Sequence, residues 1–221
     1  MAPYTLVIGN KAYSSWSLRP WLAMKQAGIA FDEVRIPLYQ DGHAAKIRTF
    51  SPAGKLPVLV DGGITVWDSL AICEYLAERH PDRQLWPADA AARALGRAVS
   101  AEMHSGFAAL RSNMGMNVRR SFAGAGMTAE VAADIARIET IWTECLACHG
   151  GPFLLGGFSI ADAMYAPVAT RFRTYAVALH ADAQRYADAL LALPAMLDWY
   201  AAARAETEVL AQFEQPREAR H

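Results

Sequence analysis

The sequence predicts two domains of different class, an α/β domain followed by an all-helical one. Three observations carry this: a shift in alanine content, a strand–helix–strand pattern near the start, and sustained helical spacing of apolar residues later on. Residues 1–86 contain 10 alanines and residues 87–221 contain 34, so the best helix former concentrates in the second part. The first part instead carries β-branched clusters punctuated by Gly and Pro. The change falls near Leu85-Trp86-Pro87-Ala88-Asp89, where proline interrupts regular structure. The expected division is a first domain over 1–82, a linker over 83–91 and a helical domain over 92–221.

In the first domain, Tyr4 to Ile8 is a short apolar run ending at Gly9-Asn10, the pattern of a buried strand. Leu18 to Gln26 has helical spacing and stops at Gly28. Phe31 to Leu38 alternates as a strand, with Pro37 closing it. Strand, helix, strand implies a right-handed parallel crossover. After a looser stretch, Val58-Leu59-Val60 and Ile64-Thr65-Val66-Trp67 flank a three-residue loop, Asp61-Gly62-Gly63, and read as a hairpin. Ser69 then opens a helix that runs to Arg79 and is halted by His80-Pro81. This order, βαβ then ββα, is the wiring of a thioredoxin-like domain. In the second domain Leu95, Val99, Met103, Phe107, Leu110 and Met114 mark one buried helix face. Val131, Ile135, Ile138, Trp142, Cys145 and His149 mark another, ended by Gly150-Gly151-Pro152.

Composition excludes several classes. Hydrophobic residues make up 53% of the 221 and charged residues 19%, enough apolar material for a sizeable core and unlike a disordered chain. A formal net charge of −1 provides no electrostatic footprint for nucleic acid. No apolar run approaches the roughly 18 residues of a membrane span. Met1 to Gly9 lacks a basic n-region and a cleavage site, and three cysteines are too few for a disulfide framework. A cytoplasmic, reducing compartment is the expectation. Cys145-Leu146-Ala147-Cys148 falls inside a helical stripe, whereas a redox pair belongs at a helix start after a strand. Clustered His and Cys with zinc spacing are missing, so no metal is expected.

Three segments carry chemistry. Tyr13-Ser14-Ser15-Trp16-Ser17-Leu18-Arg19-Pro20 lies at the first strand–helix junction, where the N–H groups of a helix start favour negative charge. Redox members of this fold need cysteine there; serines instead provide helix caps or hydroxyl donors for a thiolate brought by a ligand. Pro57 opens a strand, either as a plain edge proline or, if cis, so that Val58 offers its backbone to an extended peptide. Asp68-Ser69 reads equally as an N-cap or as a holder of an α-amino acid head group, the helix start taking the carboxylate and Asp68 the ammonium.

Taken in order, Ser14 to Arg19, Pro52-Ala53-Gly54-Lys55-Leu56-Pro57-Val58-Leu59 and Asp68-Ser69-Leu70-Ala71-Ile72-Cys73-Glu74-Tyr75-Leu76 resemble the cytosolic glutathione transferases. The serine pattern is most similar to the zeta class and its bacterial relatives, and Ser159-Ile160-Ala161-Asp162 matches that family's buried capping box. The resemblance implies glutathione as co-substrate, a homodimer, and a detoxifying transfer of its thiolate to a small electrophile. It assigns the sulfur-bonding hydroxyl to Ser14, with Ser15 beside it. Val58 would take the cysteinyl backbone, Asp68 and Ser69 the γ-glutamyl end, and Lys55 the glycyl carboxylate; His43, in the loop after the second strand, reads as a surface histidine rather than a contact of the glycine end. The acceptor pocket is expected between the domains, from Trp16, Met103, His104, Phe107, Arg111, Arg171 and Arg173. The zeta pattern has a cysteine where this chain has Trp16, and an indole beside the sulfur site reshapes that pocket. Two other functions fit the same residues: a glutathione-dependent cis–trans isomerase of a maleyl-type diacid, and a binding module without turnover.

Overall fold

The computed structural model describes residues 3–215. The first half contains strand β1 (Tyr4–Ile8), helix α1 (Ser15–Gln26), strand β2 (Phe31–Arg35), helix α2 (His43–Arg48), strands β3 (Val58–Asp61) and β4 (Ile64–Trp67), and helix α3 (Ser69–Arg79). The strands form one mixed sheet in the order β2-β1-β3-β4. β1 and β2 are parallel, whereas β3 runs antiparallel to both β1 and β4. This is the expected thioredoxin-like wiring. Leu6, Val7 and Ile8 are fully buried because helices cover the sheet on both faces, so β1 is continuously apolar rather than alternating.

The second half is helical: α4 (Ala90–Ser105), α5 (Ala108–Asn113), α6 (Ala129–His149), α7 (Ile160–Tyr175), α8 (Ala181–Leu191) and α9 (Pro194–Ala205). Helix α7 is buried almost all round, the position of a helix at the centre of a core. It packs against α1 on one side and α4 and α8 on others, so a single hydrophobic core joins the two halves.

Several boundaries differ from the sequence reading, each for a local reason. The β3–β4 loop is Gly62-Gly63, two residues rather than three, because Asp61 still pairs with Ile64; Gly62 at φ +56° suits such a turn. The segment before Pro57 contains a short helix, α2, that buries Ile47. β2 ends at Arg35, although the Ile36 N–H still donates to the Ile8 carbonyl. The run from Leu95 to Met114 is two helices, not one. Gly106 ends α4, Phe107 turns left-handed at φ +56°, and the Arg111 guanidinium donates to the carbonyls of His104 and Ser105 that α4 leaves open. Leu95 is exposed rather than on the buried face.

The capping box forms as expected. The Asp162 carboxylate accepts from the Ser159 and Leu154 N–H groups and from the Ser159 and Tyr186 hydroxyls, all buried. Of the C-x-x-C pair, Cys145 is buried and Cys148 exposed on α6, both as free thiols.

Asp162→Ala strands at least two buried N–H groups, each costing about 1–3 kcal/mol. A fall in melting temperature of about 4–24 °C is expected in a thermal scan, with Asp162→Asn recovering part of it through its remaining acceptor oxygen. A thiol-specific chromophoric reagent should label Cys148 in the native protein and reach Cys73 and Cys145 on unfolding, since both are buried.

Candidate functional site

The site begins where β1 hands over to α1. Gly9 closes β1 against Leu38: a Cβ at Gly9 would lie 2.8 Å from Leu38 Cδ1, so only glycine fits without a shift. The Gly9 N–H donates to Ser17 Oγ at 3.1 Å, tying strand end to helix start. Ser14 is the N-cap of α1, its Oγ accepting from the Ser17 N–H at 3.4 Å and its hydroxyl donating to Ser17 Oγ at 2.7 Å. Both functions of the Ser14 hydroxyl are therefore directed into the helix. Ser15 is placed differently: its Oγ accepts from the Arg171 guanidinium at 3.3 Å. Arg171 stands on α7, so the second half of the chain reaches into the first helical turn of the first half.

A second helix start faces the same space. Asp68 has φ +76° and ψ 135°, a sparsely populated backbone region costing about 1–3 kcal/mol that its surroundings must hold in place. One carboxylate oxygen caps α3 through the Leu70 and Ala71 N–H groups; the other lies 3.2 Å from His104 Nε2. Burial holds the His104 imidazole below its ordinary value, against the opposing pull of Asp68, so the neutral ring donates Nε2–H to the carboxylate. Ser69 is fully buried and accepts from Arg19 at 3.3 Å. Burial, reinforced by Arg171 and Arg111, lowers the Arg19 guanidinium to about 9. The Trp16 ring sits among Arg19, Arg111 and His104, with centroid distances of 4.3, 5.5 and 5.2 Å.

These parts open into one cavity of about 780 Å³, within the usual range of roughly 300–1,000 Å³ for a small-molecule site. Ser14, Ser15, Trp16, Lys55, Asp68, Ser69, Arg111 and Arg171 line it, as does His43. Five expected residues stand elsewhere. The Leu56–Pro57 bond is cis, yet Val58 lies inside the sheet, paired with Val7 on one side and Trp67 on the other, and Leu56 is the one beside the cavity. Met103 is buried in the core, and so is Phe107 once α4 breaks. His104 stands behind the wall, reaching the site through Asp68 and Trp16. Arg173 projects outward over the Tyr200 ring at 4.1 Å, because a two-residue step on a helix turns it away from Arg171.

The sequence reading missed Tyr39, Met116 and Phe213, which form the far wall together with Tyr13, the residue that opens the serine segment. Phe213 arrives on a segment following α9 that folds back across the first half. There the Glu206 carboxylate accepts the Lys11 and Ala12 N–H groups, and Arg35 pairs with Glu208 at 2.9 Å. A segment without periodicity leaves no sequence signal for this return. Among the described residues no cluster of His, Cys, Asp or Glu has the geometry of a metal site, and no helix is long and apolar enough to cross a membrane.

Comparisons with known proteins agree with this architecture. Residues 13–79 match the glutathione S-transferase N-terminal domain family and residues 88–202 the glutathione S-transferase C-terminal domain family. A probable maleylacetoacetate isomerase of Caenorhabditis elegans is 30% identical over 159 residues, 70% of this chain and 72% of that protein. Maleylacetoacetate isomerase of Rattus norvegicus is 39% identical over 101 residues, so the aligned part spans 46% of that relative and 44% of this chain. Among solved structures, a theta class glutathione S-transferase from Xanthomonas axonopodis pv. citri with glutathione bound has a TM-score of 0.65 at 25% identity, covering 90% of this chain and 98% of that one. A glutathione transferase homologue from Burkholderia with bound glutathione has a TM-score of 0.72 at 22% identity, covering 92% and 100%, and speaks to the fold alone. With both domain families matched in order over an α/β sheet, a helical half and the cleft between them, the chain belongs to the glutathione S-transferase family.

Proposed function

We propose that this chain binds glutathione along the cavity, its sulfur at the start of α1, and transfers the thiolate to a small electrophile, as a cytoplasmic homodimer. In this reading residues 1–82 hold the tripeptide and residues 92–221 line the acceptor side. Asp68 and Ser69 take the γ-glutamyl end, Lys55 the glycyl carboxylate, and the backbone of Leu56, in place of Val58, runs beside the cysteinyl unit. The observation that carries the reading is the pairing of Ser15 with Arg171 at the N-terminus of α1. Because Ser15 Oγ accepts from a guanidinium, its own hydrogen is polarised toward a sulfur in the cavity. Ser14, with its hydroxyl spent on Ser17, serves the site as the cap that shapes it. A free thiol titrates near pH 8.5, and each unit of depression corresponds to about 1.4 kcal/mol. A helix start and a charge-assisted hydroxyl bond together provide about one to two units.

A second reading, cis–trans isomerisation of a maleyl-type diacid, is favoured by the buried Arg171 and by the names of the relatives. A thiolate that adds to a conjugated cis double bond leaves a single bond free to rotate, and its expulsion restores both the alkene and the glutathione. Carboxylates of such a substrate would lie against Arg171 and Arg111.

Titration calorimetry with glutathione tests the first step, and the ultraviolet absorbance of the bound thiolate against pH tests the second. The bound thiol is expected to titrate about one to two units below its free value near 8.5. Ser15→Ala should carry it back upward, moving the rising limb of the rate profile to higher pH and lowering kcat about tenfold or more. Ser14→Ala should mainly cost the cap, about 1 kcal/mol of stability. The opposite pattern, with Ser14→Ala moving the thiol titration and Ser15→Ala not, would return the role to Ser14. For the diacid reading, Arg171→Gln should raise KM for a maleyl-type diacid more than for a neutral electrophile, while Arg173→Gln does neither. Equal KM effects on both substrates would count against it.

A further inference from the structure

We propose that His104 is a positioning residue for the glutathione site. From the helical half it fixes the Asp68 carboxylate so that the remaining lone pair of Asp68 takes the α-ammonium group of the ligand. This rests on the glutathione reading above, and it assigns the selection for a free amine to a residue that does not itself touch the ligand.

The carboxylate inventory carries the argument. An ionised carboxylate offers about four lone-pair sites. Asp68 Oδ1 accepts from the Leu70 N–H at 2.9 Å and the Ala71 N–H at 3.3 Å, and Oδ2 accepts from His104 Nε2 at 3.2 Å. The site left over is on Oδ2, and Asp68 lines the cavity. The two N–H bonds are what any aspartate makes when it caps a helix. The His104 bond differs in kind: it comes from the other half of the chain and acts on the oxygen that faces a ligand.

His104 is itself held from two sides. It stands in the last turn of α4, where its carbonyl accepts from Arg111 Nη1 at 3.0 Å. Its ring meets the Trp16 ring edge to face, at 5.2 Å and 82°. A ring fixed in this way delivers Nε2–H in one direction, and a carboxylate oriented in advance spares the ligand the cost of ordering it.

The second ring nitrogen explains why the contact is a neutral hydrogen bond. Nδ1 is buried and has no hydrogen-bond partner among the described residues, so a proton there would be a buried donor without an acceptor. The charged groups facing the ring are Asp68 at the start of α3, Arg19 on α1 and Arg111 on α5, and the two guanidinium groups oppose a further positive charge. A neutral ring orients the carboxylate without cancelling its charge, whereas a lysine or a histidinium in this place would compete with the ligand's ammonium.

Calorimetry on the intact protein with two ligands tests this: glutathione, and glutaryl-Cys-Gly, the same tripeptide without its α-ammonium group. The wild type is expected to bind glutathione about tenfold more tightly than the analogue. His104→Phe keeps a ring against Trp16 and removes the donor. It should narrow that gap about fivefold, entirely through weaker glutathione binding, with the affinity for the analogue unchanged. His104→Gln places an amide N–H where Nε2 stood and should retain the gap. Should the Phe variant not fold, His104→Leu gives the same comparison. Equal losses for both ligands in His104→Phe, a gap that this variant leaves intact, or a gap lost in His104→Gln would overturn the positioning role. Equal affinity of the wild type for both ligands would overturn it too and leave glutathione binding standing. No heat with either ligand would overturn the glutathione reading itself.

Discussion

Nearly everything about the site follows from the burial of α1 between the sheet and α7. Leu18, Leu22, Ala23 and Met24 are fully enclosed, so the helix cannot shift along its axis without opening two interfaces at once. Its first turn is the part left facing a cavity, and the N–H groups that every helix start leaves unpaired are fixed in that direction. The link from Gly9 N–H to Ser17 and from Ser14 to Ser17 then sets the strand end, the cap and the first turn as one unit. An arginine on α7 touches Ser15 for the same reason that α7 packs on α1: the core that joins the two halves also joins the two sides of the site.

Charge is distributed unevenly across that joint. Arg19, Arg111 and Arg171 converge, and the Trp16 ring lies against the guanidinium groups of Arg19 and Arg111, so cation–π contact helps to hold both. Asp68 holds the balance on the other side, kept in a strained backbone conformation by its two N–H partners and by His104. Strain, buried cations and an open cavity occurring together are the mark of a surface shaped for a ligand rather than for stability alone.

The segment after α9 completes the cavity by a different route. It contributes little periodic structure, and its position depends on buried polar contacts: Glu206 on two backbone N–H groups, Arg119 on two carbonyls, and the Tyr13 hydroxyl at their meeting point. Such contacts are specific because leaving any member unpaired costs more than the bond contributes. The aromatic wall is thus anchored to the same loop, residues 9–14, that presents the serines.

What was legible in the sequence was whatever is encoded locally. Hydrophobic spacing located the strands, α1 and the apolar stripe of α6; glycine and proline located most of their ends; and Ser159 with Asp162 announced the capping box of α7. The serine-rich junction and Asp68-Ser69 stand out in the sequence because each sits at an element boundary whose chemistry is short-range, whereas Lys55 is singled out only by the family resemblance. Tertiary structure decided the rest. Val58 and Leu56 differ by two positions, and only the pairing of β3 with both neighbours shows which one meets the cavity. Arg171 and Arg173 share a helix end, and only the packing of α7 on α1 selects Arg171. Phe107 has the right spacing for the long helix, but the left-handed turn there depends on how α5 must run to reach α6. Phe213 lies 200 residues from Tyr13 in the chain and carries no periodic signal of its own, so its place in the wall is set by long-range hydrogen bonds that exist only once both halves have folded together.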